Sequence, residues 1–153
     1  MLPIEKILCP TDFSEPSYEA LKAADELALH FSAEMLLVHV VSPLPVLAAG
    51  ETAPTFDVAS YQQEMEIDAK KSLDRITRER ISTKVRSQNK IILGNAADEI
   101  VRVANDEDMD LIVIATHGLT GWRRLVFGSV AEKVVRFADC PVLTIQQPPN
   151  ERE

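Results

Sequence analysis

At 153 residues the chain is long enough to bury one core without disulfides or a structural metal, and it has no room for a second domain. Hydrophobic residues make up 46% and charged residues 26%, and no signal-peptide or membrane-spanning stretch is read at the start, so a cytosolic protein is expected. The net charge of −8 argues against a broad nucleic-acid surface but is compatible with a small anion held by backbone amides.

The first apolar run, "IEKILCP" at 4–10, reads as a strand closed by proline. Ser14 then caps a helix whose first turn holds Glu15 and Pro16, and whose Ala20, Leu21, Ala24, Leu27, Ala28 and Phe31 recur at helical spacing. "AEMLLVHVV", 33–41, is a second strand, buried on both faces. Residues 43–56 carry three prolines and a glycine without periodicity and read as a mobile surface loop. A polar helix runs from about Asp57 to Ile81 on Met65, Ala69, Leu73 and Ile76, followed by a weaker strand ending in "KIILG" and a helix "AADEIVRVAND" capped by Asn95.

The fourth strand is "DLIVIAT", 110–116. Ser129 with Glu132 fits a capping box for the next helix, which carries an apolar stripe of Val130, Val134 and Phe137. "CPVLTIQQ" is a fifth strand, and residues 148–153 form a disordered tail behind a single domain of 1–147. Strands alternating with helices imply an α/β domain with a parallel sheet covered on both faces.

Ligands of such sheets lie beyond the carboxyl ends of the strands. Two loops there have suitable chemistry: "CPTDFS" after strand 1 and "ATHG" after strand 4. A phosphate chain needs inward-facing amides without Cβ atoms in the way, together with a helix N-terminus; Gly118 and Gly128-Ser129 supply both, although turns and a cap would use the same residues. Asp12 could accept from ribose hydroxyls or brace the following helix. His117 is the one histidine placed for acid–base work, yet no nucleophile pairs with it by motif, and His39 reads as a satisfied strand histidine. Trp122, Leu125, Val126 and Phe127 suit an anchor or lid, and Arg123 and Arg124 suit a solvated loop or a guide for phosphate. GxxxxGK[ST] and GxGxxG are both absent, as is any zinc spacing around Cys9 and Cys140, which read as two buried, reduced thiols.

"ILCPTDFSEPSYEAL", "LLVHVV", "GNAADEIVRVA" and "DLIVIATHGLTGWRRLVFGSVAEKVVRFADCPVLTI" together closely resemble the universal stress protein family over nearly the whole chain. The nucleotide-binding branch of that family carries G-x2-G-x9-G-[ST]. Here the pattern reads Ala115-x2-Gly118-x9-Gly128-Ser129, with alanine in place of the first glycine. The resemblance implies a three-layer α/β/α fold, Rossmann-like or flavodoxin-like, with a five-stranded parallel sheet in the order 3-2-1-4-5, so that strands 1 and 4 are neighbours. It implies an adenine-nucleotide site for ATP, AMP or ADP, with Mg²⁺ accompanying the phosphates. Pro10 and Thr11 would flank the base, the Val40 backbone would meet the adenine edge and Asp12 would hold the ribose. Gly118, Gly128, Ser129 and Val130 would cradle the phosphates, with Ala115, Thr116 and His117 in the same binding loop.

The resemblance further implies a homodimer through Val142, Leu143, Thr144 and Ile145 of the fifth strand. In that fold Cys9 and Cys140 lie at opposite ends of parallel strands, about 17 Å apart, beyond the ~7 Å that a disulfide spans. The function expected is a nucleotide-dependent stress-response switch or sensor; the alternatives are a nucleotide-independent dimeric scaffold and a slow ATP hydrolase.

Overall fold

The computed structural model describes residues 2–44, 57–117 and 127–146. Strands and helices alternate along the chain: β1 (Lys6–Pro10), α1 (Glu15–Phe31), β2 (Glu34–Val41), α2 (Val58–Arg80), β3 (Ser87–Leu93), α3 (Ala96–Asp106), β4 (Leu111–Ala115), α4 (Ser129–Phe137) and β5 (Val142–Ile145). All strand pairs are parallel and the order is β3-β2-β1-β4-β5, as expected. The chain thus winds outward from β1 in both directions. Ile7 sits beside Met35 on one side and Leu111 on the other.

Alternation along the strands sorts side chains between the two helical layers. Ile7, Cys9, Leu37 and Val113 pack with Leu21 and Ala24 of α1 and with Leu73 and Ile76 of α2. Leu8, Val38, Ile112 and Ile114 pack with Ile100 and Val103 of α3 and Val134 of α4 on the other face. Each fully buried Leu or Ile contributes about 1.5–3 kcal/mol. The amino end of the sheet is pinned by Asp110, whose carboxylate accepts the Glu5 and Lys6 amides at 2.9 Å each, setting β1 against β4.

Three details differ from expectation. Gly128, not Ser129, is the N-cap of α4, and no side chain caps that helix. The reason lies outside the helix: the Gly128 amide donates to the Thr116 carbonyl at 2.7 Å, which fixes the entry of the chain so that Ser129 is already helical. The apolar stripe of α4 is also narrower, with Val134 buried and Phe137, in the last turn, 60% exposed. Finally, Cys9 is buried but Cys140 only half-buried; both are free, and burial pushes the Cys9 thiol up to about 12, leaving it protonated and inert. Most of the expected loop at 43–56, the tail at 148–153, and Gly118, Gly121, Trp122, Arg123, Arg124, Leu125 and Val126 lie outside the described residues.

Candidate functional site

Beyond the carboxyl ends of β1, β2 and β4 lies a cavity of about 290 Å³, near the lower end of small-molecule sites. Its walls hold Pro10, Thr11 and Asp12 after β1, Val40 of β2, Ala115, Thr116 and His117 at the end of β4, and Gly128, Ser129 and Val130 at the start of α4. Every residue that the resemblance assigns to the nucleotide is therefore brought to one crevice except Gly118, which lies outside the described residues. The crevice sits where neighbouring strands β1 and β4 send their chains in opposite directions, the switch point of the sheet.

The β1–α1 loop is held in shape by its own side chains. The Thr11 amide donates to the Val38 carbonyl at 2.8 Å, and the buried Thr11 hydroxyl meets Ser17 Oγ at 2.9 Å. Asp12 Oδ1 accepts the Ser14 amide at 3.1 Å and the Ser14 hydroxyl, and Ser14 in turn caps α1 by accepting the Ser17 amide. Asp12 thus does brace the helix cap, and the same contact holds its carboxylate at the rim of the cavity. Phe13 adopts a left-handed φ of +62°, a conformation that bulky residues rarely take and that surrounding contacts must enforce. Here its amide donates to Thr11 Oγ1 at 3.1 Å and its ring lies 4.4 Å from the His39 ring.

His39 is the satisfied strand histidine expected. Its Nδ1 is 2.8 Å from the Thr11 carbonyl, and because a carbonyl can only accept, Nδ1 carries the hydrogen. It also lines the cavity, which the sequence reading missed, together with Ser17, Val38, Ala96, Ile100, Ile114 and Ala131. Ala96, Ile100 and Ala131 look like core positions of α3 and α4 in sequence. They reach the cavity because a helix that follows a parallel strand starts at the carboxyl end of the sheet. That topology, with the small side chains in two first turns, was the available signal.

The α4 end supplies the anion chemistry. An uncapped helix start presents amide donors and the positive end of the helix dipole. A Cβ on Gly128 would sit 3.1 Å from the Thr116 carbonyl, so glycine is what allows the two loops to approach. Thr116 ties three elements together: its carbonyl holds Gly128, its amide donates to Ile145 of β5 at 2.9 Å and its hydroxyl lies 2.9 Å from His117 Nδ1. His117 Nε2 is buried and meets no hydrogen-bond partner among the described residues, which costs about 1–3 kcal/mol. Among the described residues no group of three or more His, Cys, Asp or Glu could hold a metal ion, and no helix is long and apolar enough to cross a membrane.

Taken together, the cavity walls combine apolar side chains of α3 and α4, Asp12, and a start of α4 that no side chain caps. The model of the universal stress protein family matches residues 3–146. A universal stress protein of Methanocaldococcus jannaschii, MJ0531, is 35% identical over 147 residues, covering 96% of this chain and 85% of that protein. The solved structure of MJ0577, described as a hypothetical protein in a structure-based assignment of function, superposes with a TM-score of 0.77 at 28% identity, covering 96% of this chain and 99% of that one. A universal stress protein of Archaeoglobus fulgidus, solved in complex with dAMP, has a TM-score of 0.63 at 24% identity over 95% of this chain and 99% of its own, a likeness of fold.

Proposed function

The chain belongs to the universal stress protein family, and from that premise we propose that it binds ATP, or another adenine nucleotide, between β1 and β4 and acts as a nucleotide-dependent stress-response switch or sensor. The observation that carries this reading is convergence: the Pro10–Asp12 loop and the glycine-led start of α4 at Gly128, far apart in sequence, wall the same cavity. The Archaeoglobus fulgidus protein of this fold, which carries dAMP, supports an adenine nucleotide as the class of occupant.

In this reading Pro10 and Thr11 flank the base, the Val40 backbone meets its edge, and Asp12 accepts from the ribose hydroxyls. Ala115, Thr116 and His117 border the sugar and phosphates, while Gly118, Gly128, Ser129 and Val130 hold the phosphates by their amides. Mg²⁺ enters with the phosphates as part of the ligand. The protein is a binding module of one domain, residues 1–147, working in the cytosol. A second copy pairs along β5, through Val142, Leu143, Thr144 and Ile145, and so covers an edge strand that is otherwise open to aggregation.

The test is mass spectrometry of small molecules released from freshly purified, denatured protein. An adenine nucleotide in the released fraction is the expected result. Release of none, together with no binding of added ATP or AMP, would overturn the reading.

A further inference from the structure

Asp12 is the only carboxylate among the described residues of the cavity wall. It stands between β1 and α1, so neither the sheet ladder nor the helix sets its backbone course. His39, one strand away on β2, reaches the residues on both sides of it. The His39 Nδ1 donates to the Thr11 carbonyl at 2.8 Å, and the His39 ring lies 4.4 Å from the Phe13 ring at a tilt of 33°. That carbonyl belongs to the planar peptide joining Thr11 to Asp12, so fixing its direction fixes where the Asp12 backbone begins. On the far side Phe13 keeps a left-handed φ of +62°, which a bulky residue holds only where its surroundings impose it.

The two contacts ask for different chemistry. Packing against Phe13 needs only a ring, whereas the bond to Thr11 needs a donor at one place. A carbonyl can only accept, so Nδ1 carries its hydrogen whether the ring is neutral or charged, and the bond survives titration of the ring. The Asp12 side chain is fixed separately, by the Ser14 amide and hydroxyl that donate to Oδ1. Backbone and side chain together then aim one carboxylate in the cavity wall. We propose that His39 is a positioning residue: through Nδ1–H and the Thr11 carbonyl it sets the Asp12 carboxylate to receive ribose hydroxyls, so that recognition of the sugar depends on a residue of β2 acting through the β1–α1 loop. This rests on the nucleotide reading above and on the place of Asp12 within it.

The experiment compares ATP with its 2′,3′-dideoxy analogue, which lacks only the sugar hydroxyls, by calorimetry on the wild type, His39→Phe and His39→Asn. Phenylalanine keeps a ring for Phe13 and loses the donor; asparagine keeps a side-chain N–H near the Nδ1 position and loses the ring. The wild type is expected to prefer ATP to the analogue by about tenfold or more, since a hydrogen bond to a charged group carries that much. His39→Phe should lower that preference to within about threefold while leaving affinity for the analogue unchanged, and His39→Asn should keep most of it. A purely structural role would weaken both nucleotides alike and leave their ratio as in the wild type. A wild-type ratio in His39→Phe, an equal loss of preference in both variants, or a wild type that binds the two nucleotides equally overturns the assignment. Should the variants fail to fold, the wild type decides, because coupling is reciprocal: a bond that favours the sugar contact is itself favoured by that contact. The His39 Nδ1 proton should therefore exchange more slowly with ATP bound than with the analogue bound, and equal exchange overturns the assignment. Failure of the wild type to bind either nucleotide would defeat the nucleotide reading itself, whereas a sugar preference that survives in His39→Phe would defeat this inference alone.

Discussion

Ala115 stands where the family pattern has its first glycine, and the packing shows why a methyl group is tolerated there. Its side chain belongs to the core cluster formed with α1 and α2, whereas the apolar slot of the cavity is walled by α3 and α4 residues. Restoring glycine should therefore change nucleotide affinity by less than about threefold while lowering stability by about 1–2 kcal/mol, from a lost buried methyl and a freer strand backbone. Calorimetry with ATP and a thermal melt of Ala115→Gly check both halves; a large gain in affinity would mean that the methyl obstructs the site. Asp12, Thr116 and Gly128 could be read from sequence as chemistry at strand ends. The left-handed Phe13, its contact with His39 and the orphaned Nε2 of His117 could not, because each depends on atoms from separate segments meeting in the fold.

At the scale of elements, α2 carries its own pH sensitivity. Hydrogen bonds from the Ser60 side chain and amide, with a further one from the Ala59 amide, hold the Asp57 carboxyl below its usual range, and Asp57 is the N-cap of that helix. A depressed folded value means that the stabilisation is complete above the unfolded carboxylate value, about 3.9, and is lost as pH falls through the folded one. The protection of amides at the start of α2, taken relative to the intrinsic exchange rate at each pH, should fall below about pH 4, and Asp57→Ala should show the low protection already at neutral pH. Equal protection in the two proteins at neutral pH would count against the cap.

The strand β5 makes a different claim. As an edge of the sheet with Leu143 38% exposed, it is the surface proposed for a second copy. Light scattering at micromolar concentration should give a dimer for the wild type and a monomer for Leu143→Asp; a wild-type monomer would sink the proposal. Element order and capping by Ser14 and Asn95 were legible from apolar runs and polar punctuation, whereas Asp57 was read only as the approximate start of α2. The α4 cap was not legible, because the bond that moves the helix start from Ser129's expected capping position comes from Thr116 at the end of β4.

For the molecule as a whole, the fold gathers one ligand end and leaves the other end of the sheet for structural clamps such as Asp110. The winding outward from β1 is what brings "PTDFS" and the start of α4 together, and neither stretch alone distinguishes a phosphate cradle from a turn. The central claim is that this junction binds an adenine nucleotide through the amides around Gly128. Calorimetric titration of ATP into nucleotide-free protein, wild type beside Gly128→Val, tests it most directly. One ATP per chain is expected for the wild type, with an affinity at least about tenfold weaker in the variant, whose Cβ would press on the Thr116 carbonyl from 3.1 Å. No binding by the wild type, or equal binding by a correctly folded variant, would contradict it.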